Sequence, residues 1–270
     1  MSTTLLNFIT PILRSITERR IVVGLAAVTL GAVSSKWLAL PISIPLLTTI
    51  FAATVLIYEL DNCLDRRSST NSSWVILLAT TGTTATLFLW QMSYLRIETQ
   101  WIVMIGLVLS VSYAVPISRL GGLRLKDHPV AKSVYVASGV SIAVLTLPCI
   151  EAGLAPSATA AFTALIWCFL VILGNSIACD LRDLQSDQLA GLKTIAVSLG
   201  DQLTRKYLRN SYLIACFTFA TLIYFDFLPE AAMIPLLLTL GSLCVLRSDH
   251  PRWVWGLCLD GAFLPMIWLI

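Results

Sequence analysis

Charge is scarce in this chain: Asp, Glu, Lys and Arg together make up 12% of its 270 residues. Histidine occurs twice, and the seven cysteines, at 63, 149, 168, 179, 216, 244 and 258, stand singly with no C-x-x-C pair. That excludes a disulfide framework and a Cys/His zinc site, and leaves the cysteines as small core residues. A formal net charge of +3 is too small to argue for nucleic acid as a partner. What remains is apolar. Hydrophobic residues make up 57% of the chain and the mean hydropathy is +0.84, more than one soluble core of this size hides. The chain therefore reads as an integral membrane protein, to be taken in bilayer-sized lengths.

Residues 1–19 carry Leu5, Phe8, Ile9, Ile12, Leu13 and Ile16 at helical spacing ahead of Arg19, the pattern of an interfacial helix. A signal peptide would place its charges before the apolar run, and Glu18 argues against a transit peptide. Nine apolar segments follow, at about 20–36, 39–60, 73–93, 99–117, 130–150, 158–180, 208–226, 230–247 and 253–270. With the N-terminus in the cytoplasm, 16 of the 18 Lys and Arg residues fall on the cytoplasmic side, and Lys36 and Arg96 fall outside. Missing one helix would scramble that asymmetry. The expected fold class is an all-α membrane protein with nine transmembrane helices.

The sixth segment ends in three aspartates, Asp180, Asp183 and Asp187, followed by Lys193. On a helix, spacings of three and four put these carboxylates on one face. Like charges so close need a cation, and oxygen ligands select a hard divalent metal such as Mg²⁺, which usually arrives with a phosphate-bearing substrate. The second segment ends similarly, with Asp61 and Asp65 one turn apart and Arg66 and Arg67 behind them. Both helices run towards the cytoplasm in this topology, so both clusters crowd helix C-termini, where the macrodipole disfavours negative charge.

The clusters share a register. Asp61 and Asp65 precede Asp183 and Asp187 by 122 residues, and Asp127-His128-Pro129 precedes Asp249-His250-Pro251 by 122 as well. This implies an internal duplication, with halves at about 39–150 and 158–270 and one helix in front. Four helices return the chain to the same side, so the repeats run parallel, and a rotation about the membrane normal can bring the two D-x3-D clusters face to face.

These motifs resemble the UbiA superfamily of intramembrane prenyltransferases. The resemblance rests on Asp61-x3-Asp65, on Asp180-x2-Asp183-x3-Asp187 continuing into Gly191-x-Lys193-Thr194 and Leu199-Gly200, and on Tyr113-x2-Pro116-x2-Arg119. Where the family usually has Asn four residues before the first aspartate, this chain has Ile57. The resemblance implies a UbiA-like bundle forming a single transmembrane domain over 1–270, and a transfer of an isoprenyl group from an isoprenyl diphosphate to a small aromatic acceptor. Asp61 and Asp65 would hold one Mg²⁺ and Asp183 and Asp187 a second, with Asp180 near. Arg66, Arg124, Lys126 and Lys193 would take up diphosphate charge, and the rings of Tyr58 and Tyr113 would face an allylic carbocation.

Two further polar residues lie at membrane depth and are substrate-contact candidates: Asp260, within the last segment, and Asn175, deeper than Asp180 and able to replace the contact absent at Ile57. His128 and His250 are expected to be loop or cap residues, and Arg205, Lys206 and Arg209 to serve topology. Two other function classes fit parts of the pattern, a terpene cyclase on the same scaffold and a transporter or lipid-binding membrane protein. Carboxylates at one membrane face, away from the midplane, disfavour the transporter.

Overall fold

In a computed structural model of the protein, residues 20–65, 74–115, 128–189, 191–247 and 250–269 are described, with the side chains of 62–65, 74–79, 114 and 269 set aside. The described residues form helices and no strands. In chain order these are α1 (Ile21–Trp37), α2 (Ile44–Asp65), α3 (Trp74–Met92), α4 (Ile97–Ala114), α5 (Pro129–Ala152), α6 (Ala158–Arg182), the short α7 (Leu184–Leu189) and α8 (Ile195–Leu199), α9 (Asp201–Tyr224), α10 (Ile234–Val245) after a 3₁₀ turn at Glu230–Met233, and α11 (Arg252–Leu259). A 3₁₀ segment, Asp260–Leu269, closes the chain. The expected interfacial helix at 1–19 lies outside the described residues.

Each apolar segment expected from the sequence is mainly helical where it is described, with three differences. The second helix starts at Ile44, not 39, since Pro41 and Pro45 interrupt its expected beginning, and it runs on to Asp65. The seventh helix starts at Asp201, before its apolar stretch, because its first turns are polar and are held by Asp201–Arg205 at 3.0 Å. The ninth does not remain α-helical. It tightens at Asp260, and Pro265 within it has no N–H to give to an i−4 carbonyl. By length and composition alone, three described helical stretches suffice to cross a membrane: Ile44–Asp61, Pro129–Ala152 and Ala158–Leu189. The apolar helices Ile21–Trp37, Ile97–Tyr113 and Glu230–Val245 are shorter.

Helix α6 is the centre of the larger core. Its buried stripe runs through Ala164, Trp167, Cys168, Val171, Ile172, Asn175 and Ala178 and packs against α5, α9, α10 and α11. Trp167 meets the edge of Trp37 at 5.7 Å, and its Nε1–H donates to the Ala232 carbonyl at 3.1 Å, so a large ring is buried with its polar edge satisfied. A smaller cluster, including Leu46, Ile50, Phe88 and Val103, joins α1 to α4. The outer surface is apolar as well: Trp101, Ile105 and Val108 on α4 and Ile214 and Phe217 on α9 are all exposed. Outward-turned apolar faces on backbone-satisfied helices are what a lipid solvent requires, so the chain is a membrane protein.

Local signals set the helix ends that carry the site. His128 Nδ1 accepts the N–H of Ala131 at 3.2 Å with Pro129 at the first helical position, starting α5. Gly153, at φ 64°, ends α5 in the left-handed region, where a side chain would be strained. His250 Nδ1 accepts the Arg247 N–H at 3.0 Å in the turn before α11, so both histidines shape the backbone.

Gly174 on α6 is a close-approach glycine: an added Cβ would lie 2.7 Å from the Tyr212 hydroxyl and 2.9 Å from its ring carbon. Tyr212 is buried and cannot retreat freely. Gly174→Ala is therefore expected to cost about 1–3 kcal/mol through overpacking. Gly106→Ala, on an open face of α4, should gain up to ~1 kcal/mol from helix propensity. Melting of both variants in detergent checks the contrast, and equal melting temperatures would refute the packing account.

Candidate active site

The carboxylates at the end of α6 sit in an apolar bundle, and each is handled differently. Asp180 is fully buried, and Lys132 Nζ on α5 approaches its Oδ1 at 2.6 Å. The cap and proline at His128-Pro129 place that lysine in the first turn of α5, facing α6. Asp180 Oδ2 is buried and has no hydrogen-bond partner among the described residues.

Asp183 follows the last residue of α6 and lies between two guanidinium groups. Arg182 grips it in two-point fashion, Nε to Oδ1 at 3.2 Å and Nη2 to Oδ2 at 2.8 Å. Arg252, at the start of α11, reaches the same carboxylate at 3.0 Å and also bonds Ser186. From the other side, Arg182 Nη1 lies 3.8 Å from Asp260 Oδ2, and Asp260 Oδ1 accepts from Asn175 Nδ2 at 3.3 Å. The two deep candidates, Asn175 and Asp260, are thus brought together and joined to Asp183 through Arg182.

Asp187, on α7, is buried, and its Oδ2 also lacks a partner among the described residues. Two orphaned carboxylate oxygens, on Asp180 and Asp187, are the feature most in need of explanation, because a buried acceptor left unmade costs about 1–3 kcal/mol or more when charged. Hard oxygen donors of this kind suit a Mg²⁺-like cation. Among the described residues no group of three or more His, Cys, Asp and Glu side chains is already gathered as a metal cage. Lys132 pairs with Asp180, and Arg182 and Arg252 pair with Asp183.

The front half of the chain supplies two aromatic candidates. Tyr113 on α4 stacks on Tyr135 of α5, with centroids 4.6 Å apart and planes 9° apart. Tyr58 on α2 is flanked by Arg20, whose guanidinium stands 5.7 Å from the ring centre. Asp65 closes α2, but its side chain lies outside the described set. Arg66, Arg124 and Lys126 lie outside the described residues. Lys193 is exposed in the turn between α7 and α8.

Sequence reasoning assigned no chemistry to Arg20, Lys132 or Arg252 and treated Arg182 only as a possible partner of the aspartates. No signal distinguishes them in the sequence, since cytoplasmic topology alone places Lys and Arg there. Arg205, left to topology, proves structural: it pairs with Asp201, donates to the Leu246 carbonyl at 2.7 Å and covers the Trp255 ring at 5.1 Å. Beside Asp183, the residues Arg182, Gln185, Ser186, His250 and Arg252 border a cleft of about 320 Å³.

The chain matches the model of the UbiA prenyltransferase family over residues 64–255. Among solved structures it resembles a UbiA homologue from Archaeoglobus fulgidus bound to Cd²⁺, with a TM-score of 0.63 at 14% identity, covering 95% of this chain and 98% of that one. The homologue from the same organism bound to DMAPP and Mg²⁺ gives 0.57 at 14% identity, over 94% and 99% of the two chains. An apo UbiA homologue from Aeropyrum pernix K1 gives 0.61 at 13% identity, over 91% and 97%. No protein of curated description matches the sequence. Likeness at this identity establishes the fold.

The Lys132–Asp180 pair yields a stability test. Lys132→Ala leaves a fully buried carboxylate without its cation and is expected to destabilise by about 3–5 kcal/mol. Lys132→Ala with Asp180→Asn removes the stranded charge and should recover most of the loss. A double variant that melts no higher than Lys132→Ala would show that the pair is not coupled.

Proposed function

Because the chain belongs to the UbiA prenyltransferase family, we propose that it moves an isoprenyl group from an isoprenyl diphosphate to a small aromatic acceptor within a membrane. The observation that carries this reading is a pair of buried carboxylate oxygens in the acidic turn at the end of α6, on Asp180 and Asp187, with no hydrogen-bond partner among the described residues.

Asp61 and Asp65 would hold one Mg²⁺ and Asp183 and Asp187 another, with Asp180 alongside. Bound there, Mg²⁺ would neutralise the diphosphate and make it a better leaving group. Arg66, Arg124, Lys126 and Lys193 would share the negative charge that develops as the C–O bond breaks towards diphosphate. Tyr58 and Tyr113, one ring face of each covered by Arg20 and by Tyr135, would present the other to the resulting allylic cation. The aromatic acceptor would then form the new C–C bond with its π electrons and release a proton. The apolar bundle excludes water that would quench the cation.

The topology proposed with this chemistry has nine crossings, the N-terminus and the site on the cytoplasmic face, and halves at 39–150 and 158–270 behind an interfacial 1–19 segment.

Diphosphate release from geranyl, farnesyl and geranylgeranyl diphosphates, measured with Mg²⁺ and with or without small aromatic compounds, tests the function. Release that needs both Mg²⁺ and an aromatic compound is expected, whereas release into terpene products without one would identify a cyclase. Asp183→Ala and Asp187→Ala should each lower the rate about a hundredfold or more, as loss of several kcal/mol of charge stabilisation requires. Normal turnover in both variants would end the two-metal reading.

A further inference from the structure

Asp260 is the one anion of the described site placed deep in the last helical segment. Its two oxygens are engaged by Asn175 and Arg182. Arg182 is also the residue that grips Asp183. We propose that Asp260 is a positioning residue that moderates, through Arg182, the positive charge imposed on Asp183 and so sets how tightly the site takes a divalent cation. The inference rests on the metal-binding reading of Asp183 given above.

The charges around Asp183 make the case. Arg182 contacts it at 2.8 Å and Arg252 at 3.0 Å, and Arg20 also acts on it. Left alone, these cations would compete with any metal for the carboxylate. Asp260 draws on the same two inner cations, Arg182 and Arg20. The hydrogen bond from Asn175 orients Asp260 so that its other oxygen faces Arg182, and both side chains of that ion pair are about nine-tenths buried. Buried charges are screened weakly, so each alters the other's partners strongly. The last helical segment thus reaches the acidic turn at two levels. Arg252 adds positive charge to Asp183, and about 12 Å further along, at 1.5 Å per residue, Asp260 offsets it.

Mn²⁺ uptake by the purified full-length protein in detergent, followed by electron paramagnetic resonance with and without inorganic diphosphate, tests the proposal. Asp260→Asn keeps the shape and the Asn175 contact while removing the charge, and should weaken Mn²⁺ binding roughly tenfold. Arg182→Gln with Asp260→Asn removes both charges and should bind Mn²⁺ at least as tightly as the parent protein. In diphosphate release, Asp260→Asn should regain the parent kcat at saturating Mg²⁺, a recovery that a merely structural lesion would not show.

Parent-like Mn²⁺ affinity in Asp260→Asn overturns the proposal, as does a double variant that binds more weakly than the parent. If Asp260→Asn does not fold, the double variant decides alone. A raised acceptor KM that Mg²⁺ does not correct would assign Asp260 to the acceptor instead. Asp183→Ala separates the two levels: if it binds Mn²⁺ as the parent does, or if the parent binds none, the metal reading itself fails.

Discussion

A carboxylate buried in an apolar bundle must have a counter-charge within reach, and the end of α6 carries three carboxylates. Desolvating them is costly, and the macrodipole at a helix C-terminus adds to the cost. Lys132 from α5 meets Asp180, Arg182 from α6 itself meets Asp183, and Arg252 from α11 meets Asp183 from the opposite side. Each of the two inter-helix pairs ties a different helix to α6. The arrangement that tolerates the acidic cluster is therefore also the arrangement that assembles the bundle around it.

Below the charged layer, packing is conventional and tight. Trp167 joins α6 to α1 and to the turn before α10, and Gly174 lets Tyr212 of α9 lie against α6 just beneath Asn175. Large side chains fill this level, and the polar edge of Trp167 is satisfied, so the charged layer rests on a close-packed floor. Two carboxylate oxygens, on Asp180 and Asp187, stay without hydrogen-bond partners among the described residues.

Much of the helix map was legible from hydropathy, because in lipid each crossing must be apolar along its whole length. The misreadings have specific causes. The polar first turns of α9 carry no hydropathy signal, and the last segment turns 3₁₀ at Asp260, near a proline whose missing donor an apolar count ignores. Within the site, Asp180, Asp183 and Asp187 were legible because like charges at helical spacing next to an apolar run are rarely tolerated without a purpose. The two histidines turned out to shape turns, as their D-H-P setting suggested. Arg20, Lys132 and Arg252 were not legible as site residues, since the rule that places cations on the cytoplasmic side places functional and idle ones alike.

The sequence by itself determined that this chain is helical, apolar and bound for a membrane, and that its acidic clusters recur at one register. Those properties follow from composition and from spacing along the chain, which are one-dimensional. Which cation meets which carboxylate was decided only in three dimensions. Lys132 and Asp180 lie 48 residues apart, and Asn175 and Asp260 lie 85 apart. No local spacing encodes such pairs. They exist because helices from distant parts of the chain pack side by side, and buried charges then select partners from whatever that packing brings near.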